Sequence, residues 1–510
     1  MPPPNPRRSA ARRRRAVALA IVALGAALVA VAASRGGHST PAGWHAPASA
    51  PLSISAENRL PGTTAWRLPA GGGQSPIAAY VSEQTAAPGD TERVYADDPG
   101  AAWLQAAVYR IGWYGGRGGR LEDETGRLRP QNQPPCHHVD ATGLTECRWH
   151  PLVSLRLPRS LTSGVYVVKL SDSAGHQHDA MFVLTAARPA PMLVQIPIAT
   201  YEAYNNWGGD SLYPGYHRVD VTGTTQGVEV SFDRPYDSTT GAGQFFKFDV
   251  AMVRFLERRG YPLSYTTGVG VDERPSELAG RRLAVDVGHS EYWSARDASA
   301  FAAALARGTN LAFLSSDTMA WRVRFEPATQ ASSEAGRPDH VMIGYKEHAA
   351  LDPDRAAPSG AFPGNGASIT GSAFENCITP PAGAGRYRYY AWRPSPTLTP
   401  SWLYRGTGLT PGSSIPGIVG YELDKTTAAT PAGTLVVGGG TGVCRSPAAP
   451  PTADTTLYRA RSGARVFATG TLGWQFGLDP LPSVSPDVPR APDPRLERLT
   501  DNVLRTFLGT

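Results

Sequence analysis

Four short stretches of this 510-residue chain gather side chains able to move protons or hold a cation. In "GHSEYW", His289 and Glu291 stand two apart, so on an extended segment both face the same way. An imidazole beside a carboxylate can relay a proton. "TYEAYNNWGGDSLY" supplies Tyr201, Tyr204 and Trp207, "FDRPYD" supplies Tyr236, and "NLAFLSSDTMAWRVRF" supplies Asp317. Each also has a plainer role. The aromatics of the first stretch read as loop residues capping a core, and "FDRPYD" as Pro-restricted loop. His289 and Glu291 read as a hydrogen-bonded pair at the mouth of a structural cleft, and Asp317 as an Asx-turn residue. Nucleophilic catalysis fits poorly: "GHSEY" has Tyr292 where the G-x-S-x-G elbow requires glycine, and no cysteine follows an early strand with a histidine nearby. The "CHH" of Cys136, His137 and His138 lacks a second ligand pair at zinc-like spacing.

The elements that must position these groups are legible as a change of period along the chain. Over residues 52–187, short alternating runs such as "VSLRLP", "SGVYVVKLSD" and "DAMFVLTAA" are separated by turn signals, which predicts a β-sandwich of immunoglobulin-like or related type. "RIGWYGGRGGR" reads as a strand entering a Gly-rich hairpin; no helix follows, so it is not a phosphate loop. Over 188–510, strands alternate with helices. "MLVQIPIAT", "LAVDVG" and "NLAFLSS" are strand-like. "FFKFDVAMVRFLERRG" has helical periodicity and ends on a capping glycine, and "SARDASAFAAALARG" starts on Ser294 as N-cap. A terminal helix is expected over 494–507. This alternation predicts a mostly parallel sheet covered on both faces, with ligands bound beyond the carboxyl ends of its strands. Three strands end in polar or aromatic sequence, so the three tips are expected to build one site. The Pro/Gly-rich stretch 317–417 reads as an insertion of loops and a few strands.

The net charge of +6 resides in the leader, where Arg7, Arg8, Arg12, Arg13, Arg14 and Arg15 precede an apolar run over 16–33. Without them the body is formally neutral, which argues against nucleic acid as a partner. Residues 1–33 read either as an export signal or as an uncleaved membrane anchor, and 34–51 as a small, polar, Pro-rich linker. Either fate places the body outside the cytoplasm. Four cysteines in an exported chain invite pairing; of three connectivities, the local one is favoured, Cys136–Cys147 and Cys377–Cys444.

Taken in order, "YRIGWYGGRGGRL", "SGVYVVKL", "TYEAYNNWGGDSLY", "FDRPYD", "GHSEYWS" and "NLAFLSSDTMAWRVRF" resemble the large-subunit family of N,N-dimethylformamidase, over roughly residues 60–510. The resemblance implies a β-rich domain followed by a three-layer α/β domain related to class I glutamine amidotransferases. It also implies a mononuclear iron held by two tyrosines and a glutamate, a small amide as substrate, and a small partner subunit or self-association. Tyr204, Tyr236 and Glu291 fall on the ligand positions, His289 on a position that either supports the ligands from behind or faces the substrate, and Glu422 of "GYELD" on a catalytic glutamate. Asp317 falls where the family has an asparagine, a departure that adds charge beside the metal. The chemistry is coherent on its own terms. A phenol of pKa ~10 binds as phenolate only to a strong Lewis acid. Fe(III) is one, it suits hard oxygen donors, and two phenolates and a carboxylate offset its charge. An exported or anchored amidohydrolase follows, with His289, Asp317 and Glu422 handling protons. A second reading, from another class, is a non-catalytic cell-surface binding protein that uses the β-sandwich and a degenerate cleft.

Overall fold

The computed structural model describes residues 50–69, 75–237, 240–383, 386–481 and 483–510. The expected leader over 1–33 and nearly all of the 34–51 linker lie outside the described residues. None of the described helices is long and apolar enough to cross a membrane.

The first half is built of short strands, as its alternation requires. Ala78–Val81, Thr91–Asp97 and Pro151–Arg156 form a three-stranded antiparallel sheet. Thr85–Ala86, Gln177–Leu184, Gly164–Asp172, Leu104–Ile111 and Gly119–Glu124 form, in that order, a largely antiparallel five-stranded one. The Gly-rich segment is the hairpin between the last two. Successive side chains of a strand point to opposite faces. In Gly164–Asp172, Tyr166, Val168 and Leu170 pack in a core with Val94, Ala96 and Leu155 of the smaller sheet. Val165 and Val167 point the other way, into a larger core with Val194, Phe245 and Val285. That double burial is why "SGVYVVKL" has no polar alternation.

The second half contains β1 (Met192–Ile196), α1 (Ile198–Ala203), α2 (Phe245–Arg258), β2 (Leu263–Thr267), β3 (Leu283–His289), α3 (Ala295–Ala306) and β4 (Asn310–Ser316). It continues with β5 (Tyr390–Pro394), β6 (Ile415–Val419), β7 (Leu435–Thr441), β8 (Thr452–Arg459), β9 (Arg465–Ala468) and α4 (Pro494–Leu508). Nine strands share one sheet in the order β2-β1-β3-β4-β9-β8-β7-β5-β6. Strand β3 is buried throughout, with Val285 and Val287 in the core that includes α2 and α4, and Ala284 in another with Ala298 and Phe301 of α3. Both faces are therefore covered. Ser294 caps α3 by accepting from the Asp297 amide, and Asp493 caps α4 just ahead of Pro494.

The sheet departs from the sequence reading in one respect. Its β2-β1-β3-β4-β9 portion is parallel, but β9-β8-β7-β5-β6 pairs antiparallel throughout. Strands β8 and β9 are joined by a tight turn too short for a crossover helix, which forces antiparallel pairing. Two strands of the supposed insertion, β5 and β6, thus extend the main sheet.

The two halves are locked together by charge as well as apolar packing. Arg110 of Leu104–Ile111 and Glu257 of α2 are both fully buried, with Nη2–Oε1 2.7 Å and Nη1–Oε2 2.9 Å. Both disulfides have the local connectivity, Cys136–Cys147 and Cys377–Cys444.

Candidate active site

Strands β1 and β3 are neighbours, and the chain leaves β1 for β2 on one side and returns to β3 on the other. The crevice beyond their carboxyl ends is the switch point where doubly wound sheets bind ligands. His289 ends β3 opposite Ser316 at the end of β4, and Asp317 follows directly. Gly288 has φ +71, and a Cβ there would lie 1.8 Å from Asp249 Oδ1. Only glycine lets the chain turn at that point. The next turn is fixed by hydrogen bonds. Thr200 Oγ1, in α1, accepts from the amides of Glu291 (3.0 Å) and Tyr292 (3.2 Å), while Trp293 Nε1 donates to the Ser290 carbonyl (2.9 Å). Ser290 Oγ in turn donates to Asp286 Oδ1 (2.8 Å), a β3 carboxyl that burial pushes up to about 8.

Glu291 is the centre of the site. Tyr204 Oη donates to its Oε2 at 2.8 Å, Tyr213 Oη to its Oε1 at 2.7 Å, and the two phenol oxygens are themselves 2.7 Å apart. Their rings stack with centroids 4.2 Å apart. His289 Nε2 lies 3.5 Å from Glu291 Oε2 and 3.0 Å from Glu422 Oε2, while its Nδ1 is 2.9 Å from Gln244 Oε1. The His289–Glu422 contact is close but off the line of a hydrogen bond, and both atoms are without a hydrogen-bond partner. Asp317 Oδ1 is likewise buried and unpartnered. One ligand atom from each of His289, Asp317 and Glu422 lies within 4.8 Å of the other two.

Burial dominates the electrostatics. It drives the Tyr204 and Tyr213 phenols well above their ordinary range, and the adjacent Glu291 drives them further. Glu291 is itself raised by burial, against the pull of His289 and Lys346. Asp317 is raised well above the carboxylate range by burial and by Glu291, Glu422 and Asp424. For His289, burial opposes the charged form, but Glu422 and Glu291 outweigh it and lift the imidazole above its usual value. Asp317 sits at φ 53 and Met319 at φ 61, so the backbone takes a left-handed course just past β4.

Five of the six residues given a site role by the resemblance are neighbours here: Tyr204, His289, Glu291, Asp317 and Glu422. Tyr236 is placed differently. Its Oη is buried without a hydrogen-bond partner among the described residues, and the charges acting on it are Glu202 and Arg234 rather than Glu291. The phenol that pairs with Tyr204 on Glu291 is Tyr213, which sequence reasoning passed over although it ends the quoted "GGDSLY". Lys346 was also missed. Its Nζ stands 3.4 Å from the Tyr213 ring centroid and donates to the Leu212 carbonyl at 3.1 Å. It lies three residues past the short strand Val341–Ile343, inside the stretch read as an insertion, so no periodicity marked it.

A buried carboxylate receiving two phenols, with three unpartnered polar atoms beside it, is a donor set suited to a hard cation. Comparison with known proteins agrees with the ordered motifs. No individually curated protein matches the chain. The sequence profile described as N,N-dimethylformamidase beta subunit-like, C-terminal, matches residues 105–489, about three quarters of the chain and parts of both halves. The chain belongs to the N,N-dimethylformamidase beta subunit-like family.

Proposed function

We propose that this protein is an exported or membrane-anchored amidohydrolase that cleaves a small amide at a mononuclear Fe(III) centre. The observation that carries the reading is the Glu291 carboxylate, buried at the strand edge and bonded by two phenols, in a chain of this family. Glu291, Tyr204 and a second tyrosine would hold the ion. The family motif points to Tyr236 for the second tyrosine, and its unpartnered Oη is available. The hydrogen-bonding geometry favours Tyr213. When bound, the ion supplies Lewis-acid polarisation of the amide carbonyl.

The protein's own groups handle the protons. Glu422 accepts a proton from the attacking water, whose oxygen adds to the carbonyl carbon. His289, whose imidazole the neighbouring Glu422 lifts above its usual range, gives a proton to the amine nitrogen as the C–N bond breaks. The products are a carboxylic acid and an amine. Asp317, whose carboxyl burial raises well above the carboxylate range, would as the protonated acid offer the hydrogen-bond donor that the resemblance assigns to an asparagine amide.

The same proposal takes 52–187 as an immunoglobulin-like sandwich and 188–510 as a three-layer domain of the class I glutamine amidotransferase kind. The facing sheets and the helices on both faces of β3 support this. The basic leader and two disulfides support an extracytoplasmic body. The "beta subunit" of the family description supports a small partner subunit. The test is amine release from a panel of small N-alkyl amides. Wild type hydrolyses at least one of them, Glu422→Gln loses about 10²–10⁴ of the rate, and Glu291→Gln is inactive. Equal rates in all three proteins contradict the reading.

A further inference from the structure

Tyr213 lies between two residues that meet a third outside the active site. Asp210 precedes it, His217 follows it, and His138 faces both from the hairpin strand His137–Val139. That hairpin is closed at its base by the Cys136–Cys147 disulfide. His217 Nδ1 is 3.0 Å from Asp210 Oδ2, and His138 Nε2 is 3.4 Å from the same oxygen. The two imidazoles stand 4.6 Å apart, centroid to centroid, and the three ligand atoms lie within 4.8 Å of one another.

The hydrogen bonding leaves this cluster incomplete. His138 Nδ1 is 2.9 Å from Thr145 Oγ1, which can accept its proton and leave the Nε2 lone pair directed at the carboxylates. Nε2 is buried and has no hydrogen-bond partner, although Asp210 Oδ2 and, at 3.5 Å, Asp140 Oδ1 flank it. In that tautomer the lone pair faces carboxylate oxygens, and a cation lying between them turns the repulsion into coordination. The backbone is built for the close approach: a Cβ on Gly209, at φ +123, would lie 2.2 Å from His217 Cε1. Asp210 is fully buried, whereas the His217 side chain is 49% exposed and gives an ion a way in.

We propose that His138, Asp210 and His217 bind a divalent transition-metal ion of the zinc class, and that this ion fastens the Tyr213 loop to the disulfide-closed hairpin. Two imidazoles and one carboxylate are a donor set that suits Zn²⁺ and its substitute Co²⁺, with a position left for water or Asp140. The sequence reading set "CHH" aside for want of a second ligand pair; the fold supplies that pair from about 70 residues further along. The proposal does not rest on the amidohydrolase reading and uses none of its ligands.

The test is titration of the chelator-treated, full-length protein, free of any poly-histidine tag, with Co²⁺ followed by its visible ligand-field bands. Glu291→Gln with Glu422→Gln is the background, which takes a carboxylate from each candidate ligand set of the active site. One equivalent binds in that background. Adding His217→Gln removes the bands, and adding Thr145→Val, which frees His138 Nδ1 of its partner, weakens binding by about 10–100-fold. Absence of Co²⁺ binding in the Glu291→Gln, Glu422→Gln background overturns the proposal, as does binding unchanged by His217→Gln.

Discussion

Asp317 is a buried carboxyl just past the tip of β4. It is surrounded by Glu291, Glu422 and Asp424, and its Oδ1 is unpartnered. In the metal-free protein its pKa is raised above the unfolded value of ~3.9, so the folded state holds the proton to higher pH than the unfolded chain. Its contribution is therefore lost as pH rises through the folded pKa. Asp317→Asn keeps the shape and lets the side-chain amide donate to the neighbouring carboxylates. It is expected to stabilise the metal-free protein by about 1 kcal/mol or more at about pH 8, and to change little at about pH 4. Urea unfolding at the two pH values measures the difference. Residues of this kind were legible in the sequence because each interrupts an apolar run: His289 after "LAVDVG", Asp317 after "NLAFLSS". Tyr213 was not, because its phenol reaches Glu291 only through the folding of the 205–213 loop, which no periodicity encodes.

At the scale of elements, the alternation of strand and helix predicted β3, α3 and β4 nearly residue for residue, since each has a continuous apolar pattern and a capping residue. Helix α1 was hidden behind Pro197, where a strand appeared to continue. Strands β5 and β6 were hidden in Pro/Gly-rich sequence whose pairing partners, β7 and each other, are set by the sheet rather than by local pattern. The element contact that most clearly holds the site's scaffold is between α2 and the Leu104–Ile111 strand. Arg110 and Glu257 are both fully buried there, and Asn58 and Tyr265 also bond to Glu257. Glu257→Ala leaves the guanidinium without its counter-charge. The expected loss is about 3–5 kcal/mol of unfolding free energy, measured by denaturant titration, and the double change Arg110→Met with Glu257→Leu costs less than the single one.

At the scale of the molecule, the disulfides tie the site to the body. Cys377 lies in the strand Ala373–Ile378, which pairs with Glu422–Lys425, so the Cys377–Cys444 bridge braces the strand that starts with Glu422. It closes a loop 67 residues apart in sequence, and replacing both cysteines by alanine is expected to cost about 2–5 kcal/mol. Thermal unfolding of the paired variant checks it, with the larger fall expected here than for the 11-residue Cys136–Cys147 bridge. The whole account converges on one cation at Glu291, and iron content together with visible absorption of the purified body tests it most directly. One iron per chain is expected, with a phenolate-to-iron band that is lost in Glu291→Gln and Tyr204→Phe and altered in either Tyr213→Phe or Tyr236→Phe, whichever supplies the second ligand. Colourless protein that takes up no iron, or a band indifferent to Glu291, contradicts the account.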